Sequence, residues 1–383
     1  MRSPAISRGR YSKACKPPGG GPVAGKGANM LEPLGSVDEL TPARLTEALR
    51  CGGALGRGCV EQVVVAERGE TPWSSIYHLE ASYSADAPGD APTRLFLKIG
   101  GGGAGEAAFY RSVAELGGAL PVPPCYEAVY ASTSDRSHFL LLDLAQTHGL
   151  VAPWPLPPLR AQGEEVAACL ARLHAAFWQH PRLGKGIARR RDYFESESNY
   201  RGLIGWWQES YCSWADFMGD RLTAEERGLY ERLLSGMPGQ WSRYWQERAA
   251  TGRGLTLIHG DCHPGNLLYP HDPARYPIYL VDWQGYCVGT GATDLAYMVT
   301  GHWYAEKERA LPFLRRYHAA LGESGVAGYP WEALWLDYRA AVLHYMFDPI
   351  RLHTVGVSPE VWWPILRRCL AAFHELDCME LLA

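Results

Sequence analysis

None of the ten cysteines stands in a CxxC pair; they lie scattered at positions 15, 51, 59, 125, 169, 212, 262, 287, 369 and 378. In a chain this long, that spacing argues against a disulfide framework or a zinc ribbon. It points to reduced thiols and a cytoplasmic setting. No apolar run is long enough to span a bilayer, so no membrane partner is expected. A basic surplus is missing too: the formal net charge is −4, which excludes a protein built around nucleic acid. No feature implies a protein partner. Residues 1–29 carry six Lys/Arg and no Asp/Glu, and they are rich in Gly and Pro. With no apolar h-region they do not read as a secretory signal. They are expected to be a disordered basic tail, with Met30 a second candidate start.

What is present is the composition of a globular protein, 47% hydrophobic and 20% charged. At 383 residues the chain exceeds the size of one growing core, so two lobes are expected. SVDELTPARLTEAL carries helix-start signals and an apolar repeat. VEQVVVAER, SSIYHLEASYS and TRLFLKIG read as strands. GEAAFYRSVAEL reads as a helix with Phe109, Val113 and Leu116 on one face. PCYEAVYAS and SHFLLLDL are two more strands. A β-rich lobe over 30–144 is thus predicted. After the proline-rich VAPWPLPPL, residues 145–383 read mainly as helices, among them EEVAACLARLHAAFW. One β-island, GNLLY and IYLVDW, interrupts them.

That island adjoins IHGDCHPGNLLY, residues 258–269, which packs two histidines, a cysteine, an aspartate and an asparagine together. A metal cluster, a polar seam and a phosphoryl-transfer site would all use such letters. The surroundings favour the third. Asp261 and Asn266 are spaced as D-x-x-x-x-N, and Asp282 follows an apolar strand in LVDW. Upstream, Lys98 ends a strand and Glu106 lies in the next helix. Transfer from ATP needs a lysine for the phosphates, a glutamate to hold it, a carboxylate for the acceptor hydroxyl, and Asn and Asp oxygens for Mg2+.

HGDCHPGN followed by LVDWQ resembles the aminoglycoside phosphotransferase/choline kinase-like family, small-molecule relatives of the protein kinases. LFLKIG with GEAAFYR, LARLHAAFW and GATDLAYMV look like further segments of it. The DWQ and DLAYM wording is closest to its broad branch, which includes ecdysteroid-kinase-like members. The resemblance spans roughly residues 55 to 380. It implies an α+β, bilobal, protein-kinase-like fold and an ATP- and Mg2+-dependent kinase acting on the hydroxyl of a small molecule. By resemblance, Asp261 is the catalytic base, and Asn266 and Asp282 are the Mg2+ ligands. Lys98 contacts the ATP phosphates, oriented by Glu106. The strand end at Leu142, Asp143 and Leu144 is the hinge whose backbone meets adenine, and Asp294 holds the catalytic loop. Two departures stand out. ERGETPWSS lacks the GxGxxG of protein kinases, so Ser74 or Ser75, preferably Ser75, is expected at the phosphates. IGGGGAG between Lys98 and the helix is short, which leaves Glu115 as the fallback partner.

Blander readings compete at each position. His259 fits a structural hydrogen bonder better than a ligand. Cys262 and His263 lie between the functional positions. A zinc site would need three or four N/S ligands, and no second cluster supplies them. A nucleotide-binding pseudokinase and a choline/ethanolamine-type amino-alcohol kinase remain alternatives. Thirteen of fourteen tryptophans lie beyond residue 150 and read mainly as core, with a few available to line an acceptor pocket or cage a quaternary amine. Residues 151–383 hold 23 Lys/Arg and 26 Asp/Glu, a balance of −3. That is too weakly acidic to favour a polycationic aminoglycoside. A neutral or moderately apolar hydroxylated acceptor is expected.

Overall fold

The structure, a computed structural model, describes residues 32–382 apart from positions 72, 73, 115, 117, 119 and 154. The basic tail read at 1–29, Met30 and Glu115 lie outside the described residues. The first predicted helix is broken in two: a 3-10 turn over Val37–Glu39, then α1 over Pro42–Cys51. Pro42 causes the break. It disfavours helix at the residue before it and suits the first helical turn, where the Thr41 hydroxyl accepts from the Arg44 amide.

Five strands follow, β1 (Val60–Glu70), β2 (Ser74–Tyr83), β3 (Arg94–Gly101), β4 (Cys125–Ala131) and β5 (Arg136–Leu142), with α2 (Ala104–Ser112) between β3 and β4. They form an antiparallel sheet in the order β1-β2-β3-β5-β4. Side chains alternate across it. Leu79, Leu95, Leu97 and Leu140 pack on Leu45 and Leu49 of α1 and make one small core. Ile76, Phe96, Lys98, Ser137 and Phe139 turn to the opposite face, which roofs a cleft. α2 ends earlier than the apolar spacing suggests. Phe109 and Val113 are buried, but Leu116 lies past the helix end and is exposed.

The rest is mainly helical: β6 (His148–Gly149), α3 (Arg160–Ala176), α4 (Asp192–Glu195), α5 (Glu197–Met218), α6 (Ala224–Gly236) and α7 (Gln246–Thr251) come first. β7 (Thr256–Ile258), β8 (Leu267–Pro270), β9 (Tyr279–Leu280) and β10 (Cys287–Gly289) then make two small sheets. α8 (Gly291–Leu295), α9 (Lys307–Glu323), α10 (Trp331–Tyr345), α11 (Asp348–Thr354) and α12 (Pro359–Glu375) complete the helices. Their inward faces form a second, aromatic-rich core that includes Trp214, Trp245, Trp283 and Trp362. The stretch IYLVDW is strand only at Tyr279–Leu280; at Asp282 the backbone turns left-handed, with φ 63°. No helix among the described residues is long and apolar enough to cross a membrane.

Candidate active site

Lys98 lies on the cleft face of β3, opposite Ile76 and Phe139. Glu106 stands in the first turn of α2 and is buried. The Lys98 ammonium donates to Glu106 Oε2 at 2.9 Å and to Asp282 Oδ1 at 3.4 Å. Burial opposes the lysine charge, but the two carboxylates outweigh it and hold its pKa above the ordinary lysine value. Burial also pushes the Glu106 carboxyl up, with Lys98 working against that shift. This triad joins the sheet to the segment after β9. Trp283, next to Asp282, stacks on Phe109 of α2 at 3.9 Å between ring centroids, and its indole N–H donates to the Leu280 carbonyl. The aromatic pair therefore ties the Glu106 helix to the Asp282 loop.

The loop after β7 is built around a buried carboxylate. Asp294, at the start of α8, accepts from the His259 amide at 2.7 Å and the Gly260 amide at 3.0 Å. It also pairs with His174 Nε2 at 3.3 Å. Burial works against its charge, yet His174, the His259 ring and the Gly260 amide prevail and keep its pKa below the usual carboxylate value. His259 donates from Nε2 to the Val281 carbonyl, while its Nδ1 faces the Asp261 amide at 3.4 Å. Gly260 has φ 81°, and a Cβ there would stand 2.1 Å from the Gly285 carbonyl. Only glycine fits between this loop and the segment after Asp282.

Asp261 is held on this scaffold with its carboxylate partly exposed. Asn266 donates from Nδ2 to the Asp261 carbonyl at 3.0 Å and to Oδ2 at 3.4 Å. That use of the amide nitrogen leaves the amide oxygen of Asn266 for another partner. Cys262 is in the core, and burial pushes its thiol up. His263 has Nε2 3.9 Å from Asp261 Oδ2, and burial lowers its pKa against the pull of Asp261. Among the described residues, no three His, Cys, Asp or Glu side chains gather in a metal-binding group.

The cleft between these two sides measures about 960 Å3. Lys98, Glu106, Asn266, Asp282 and Leu144 line it together, and Asp261 sits at the Asn266 side. Leu142, Asp143, Leu144 and Ala145 form its back edge. Asp143 is fixed there by His78 Nδ1 at 2.9 Å and by the Ala145 amide at 2.9 Å. One expected residue is misplaced. Ser74, Ile76 and His78 line the cleft, whereas Ser75 has the opposite parity on β2 and points with Tyr77 and Leu79 toward the α1 side. Ser74 replaces it.

Several participants were not found from the sequence. His174 lies 120 residues before Asp294 and is locked by the Tyr317 hydroxyl at 2.8 Å. Its signal was a histidine on the buried face of α3, within the family-like LARLHAAFW, and nothing in the chain pointed to Asp294 as its partner. Trp283 was part of the LVDWQ motif but its stacking role was not, and His78 gave no signal beyond its residue type.

The phosphotransferase enzyme family model matches residues 89–335, which include every residue placed in the cleft triad and the catalytic loop. No curated protein sequence matches the chain. Among solved structures, a candidate aminoglycoside phosphotransferase from Ralstonia eutropha is similar at 16% identity and a TM-score of 0.54, covering 88% of this chain and 97% of that one. A choline/ethanolamine kinase family protein from Mesorhizobium loti is similar at 15% identity and a TM-score of 0.49, covering 82% and 90%. Choline kinase LicA from Streptococcus pneumoniae gives 14% identity and a TM-score of 0.46, covering 83% and 94%. At 16% identity and a TM-score of 0.54 the Ralstonia structure speaks for the fold alone, and the family match spans well over half the chain: it belongs to the phosphotransferase enzyme family.

Proposed function

We propose that this protein transfers the terminal phosphoryl group of ATP to a hydroxyl of a small molecule. The observation that carries the reading is the Lys98–Glu106–Asp282 triad at 2.9 and 3.4 Å across a cleft whose other wall holds Asp261 and Asn266. The nucleotide side is assigned to residues 30–144 and the acceptor side to 145–383. Lys98 neutralises phosphate charge, and Glu106 keeps its ammonium in place. The backbone at Asp143 and Leu144 meets the base. Asp261 orients the acceptor hydroxyl and takes its proton as the bond to phosphorus forms. His259, Gly260 and Asp294 prevent that carboxylate from wandering.

Asp282 and the amide oxygen of Asn266 suit Mg2+, because both are hard oxygen donors on the cleft wall. When bound there the ion supplies charge compensation for the phosphates. Asp282 already leans on Lys98, so the same carboxylate can serve both cations. The acceptor is read as a neutral or moderately apolar hydroxyl compound. On the His263 side of Asp261 aromatic rings gather beside the Asp348–Arg351 ion pair: the His263 ring lies 6.4 Å from Tyr297, which stacks on Tyr345 at 5.0 Å. A panel of alcohols, sugars, amino alcohols and antibiotics, assayed for ADP release with ATP and Mg2+, tests this reading. Turnover with neutral hydroxyl compounds is expected. Efficient turnover of aminoglycosides alone would overturn the acceptor class.

A further inference from the structure

The β1–β2 hairpin has no glycine-rich phosphate loop, yet four consecutive glycines, Gly100–Gly103, run from the end of β3 into α2 and line the cleft. Gly102 and Gly103 take φ of 73° and 85°. These left-handed residues turn the chain so sharply that the helix starts at Ala104. No side chain caps α2. Its first internal bond is from the Ala107 amide to the Gly103 carbonyl, so the amides from Gly103 to Glu106 have no helical acceptor. Glu106 belongs to that same turn and touches Lys98 at 2.9 Å. A Cβ on Gly105 would meet the Gln284 carbonyl at 2.8 Å, so the turn also abuts the segment after Asp282. The open amides therefore begin a turn that adjoins both the Lys98–Glu106 pair and the segment after Asp282.

A second, independent feature faces the same space. Ser137 is 3% exposed, lies opposite Gly100 in the β3/β5 register and lines the cleft. Its hydroxyl makes no hydrogen bond to any described residue. The position a Gly103 Cβ would take is 2.6 Å from its Oγ. Because Ser137 lines the cleft, this hydroxyl is available to water or to a ligand bound there. The rim carboxylate, Asp135, is engaged elsewhere: Oδ1 accepts from the Tyr130 hydroxyl, and its carbonyl accepts from the Gly102 amide.

We propose that Gly100–Gly103, the uncapped start of α2 and the Ser137 hydroxyl form the cradle for the phosphate tail of the nucleotide, in place of the β1–β2 hairpin. This rests on the nucleotide-dependent reading above. Helix starts and glycine turns with open amides favour anions, and a hydroxyl adds one charge-assisted bond. Calorimetry on the full chain with ADP and with adenosine, and with GDP and guanosine as a second pair, isolates the phosphates. Ser137→Ala is expected to weaken the diphosphate roughly ten-fold and leave the nucleoside unchanged. Gly102→Asp is expected to weaken the diphosphate more than Gly102→Asn, because both tolerate a left-handed backbone and differ in charge. Should Ser137→Ala fail to fold, the Gly102 pair decides alone. Diphosphate binding unchanged in these variants, equal losses for diphosphate and nucleoside, or a larger loss from Ser74→Ala would overturn the cradle. A wild-type protein that binds neither diphosphate would overturn the kinase reading as well, which separates the two failures.

Discussion

On the helical side of the cleft, Asp294 is wholly buried and accepts from two loop amides and a histidine. On the sheet side, Lys98 is held by the carboxylates of Glu106 and Asp282, next to a run of glycines. The first arrangement fixes geometry through hydrogen bonds that water cannot reach. The second holds a charge that a nucleotide can share. The difference suggests a division of labour. On the proposed reading, Asp261 is preorganised by the fold, and the Lys98 side is completed by its ligand.

Breaking the rigid side should cost the most. Asp294→Ala strands the His259 and Gly260 amides and His174, so stability is expected to fall by about 3–5 kcal/mol in denaturant unfolding. A loss below about 1 kcal/mol would show that the network is not what holds the loop. The aromatic core of the same half offers a gentler test. His344 is 9% exposed, donates from Nδ1 to the Ala340 carbonyl and has no partner for Nε2. Burial among Tyr193, Trp207 and Trp245 pushes its pKa down to about 4. The unfolded chain binds the proton from about pH 6.5 downward, whereas the folded chain resists it until about pH 4. Stability contributed by the neutral ring is thus complete above pH 6.5 and lost toward pH 4, a span of about 3 kcal/mol at most. His344→Leu should flatten the fall in melting temperature over that range; an unchanged slope would remove His344 from the account.

The sheet side should respond in affinity rather than stability. Glu106→Gln keeps the shape but removes the charge that anchors Lys98. ATP binding is expected to weaken roughly ten-fold, about 1.4 kcal/mol, while unfolding changes little. If Glu106→Gln destabilised the fold as much as Asp294→Ala, the contrast between the two sides would collapse.

What the sequence revealed follows the same contrast. Lys98, Glu106, Asp261, Asn266 and Asp282 were nameable from local motifs together with the family resemblance, and the fold brings them to one cleft although Lys98 and Asp282 stand 184 residues apart. The choice between Ser74 and Ser75 was not readable. β2 is apolar on both faces, Ile76 toward the cleft and Leu79 toward α1, so alternation gives no parity. The end of α2 was misread because apolar spacing continues to Leu116 after the backbone has left the helix. His174 was invisible as a partner, since its bond to Asp294 spans 120 residues of chain. The strand expected through Asp282 stops short because that aspartate turns left-handed to reach Lys98.

The central claim is that Asp261 performs the transfer on a scaffold that does not need its charge. Its most direct test compares wild type with Asp261→Asn for acceptor-dependent ADP release and for ATP binding in parallel. A loss of turnover on the order of a thousand-fold or more, with ATP affinity unchanged, is the predicted result. Turnover that survives the substitution, or ATP binding lost along with it, would contradict the account.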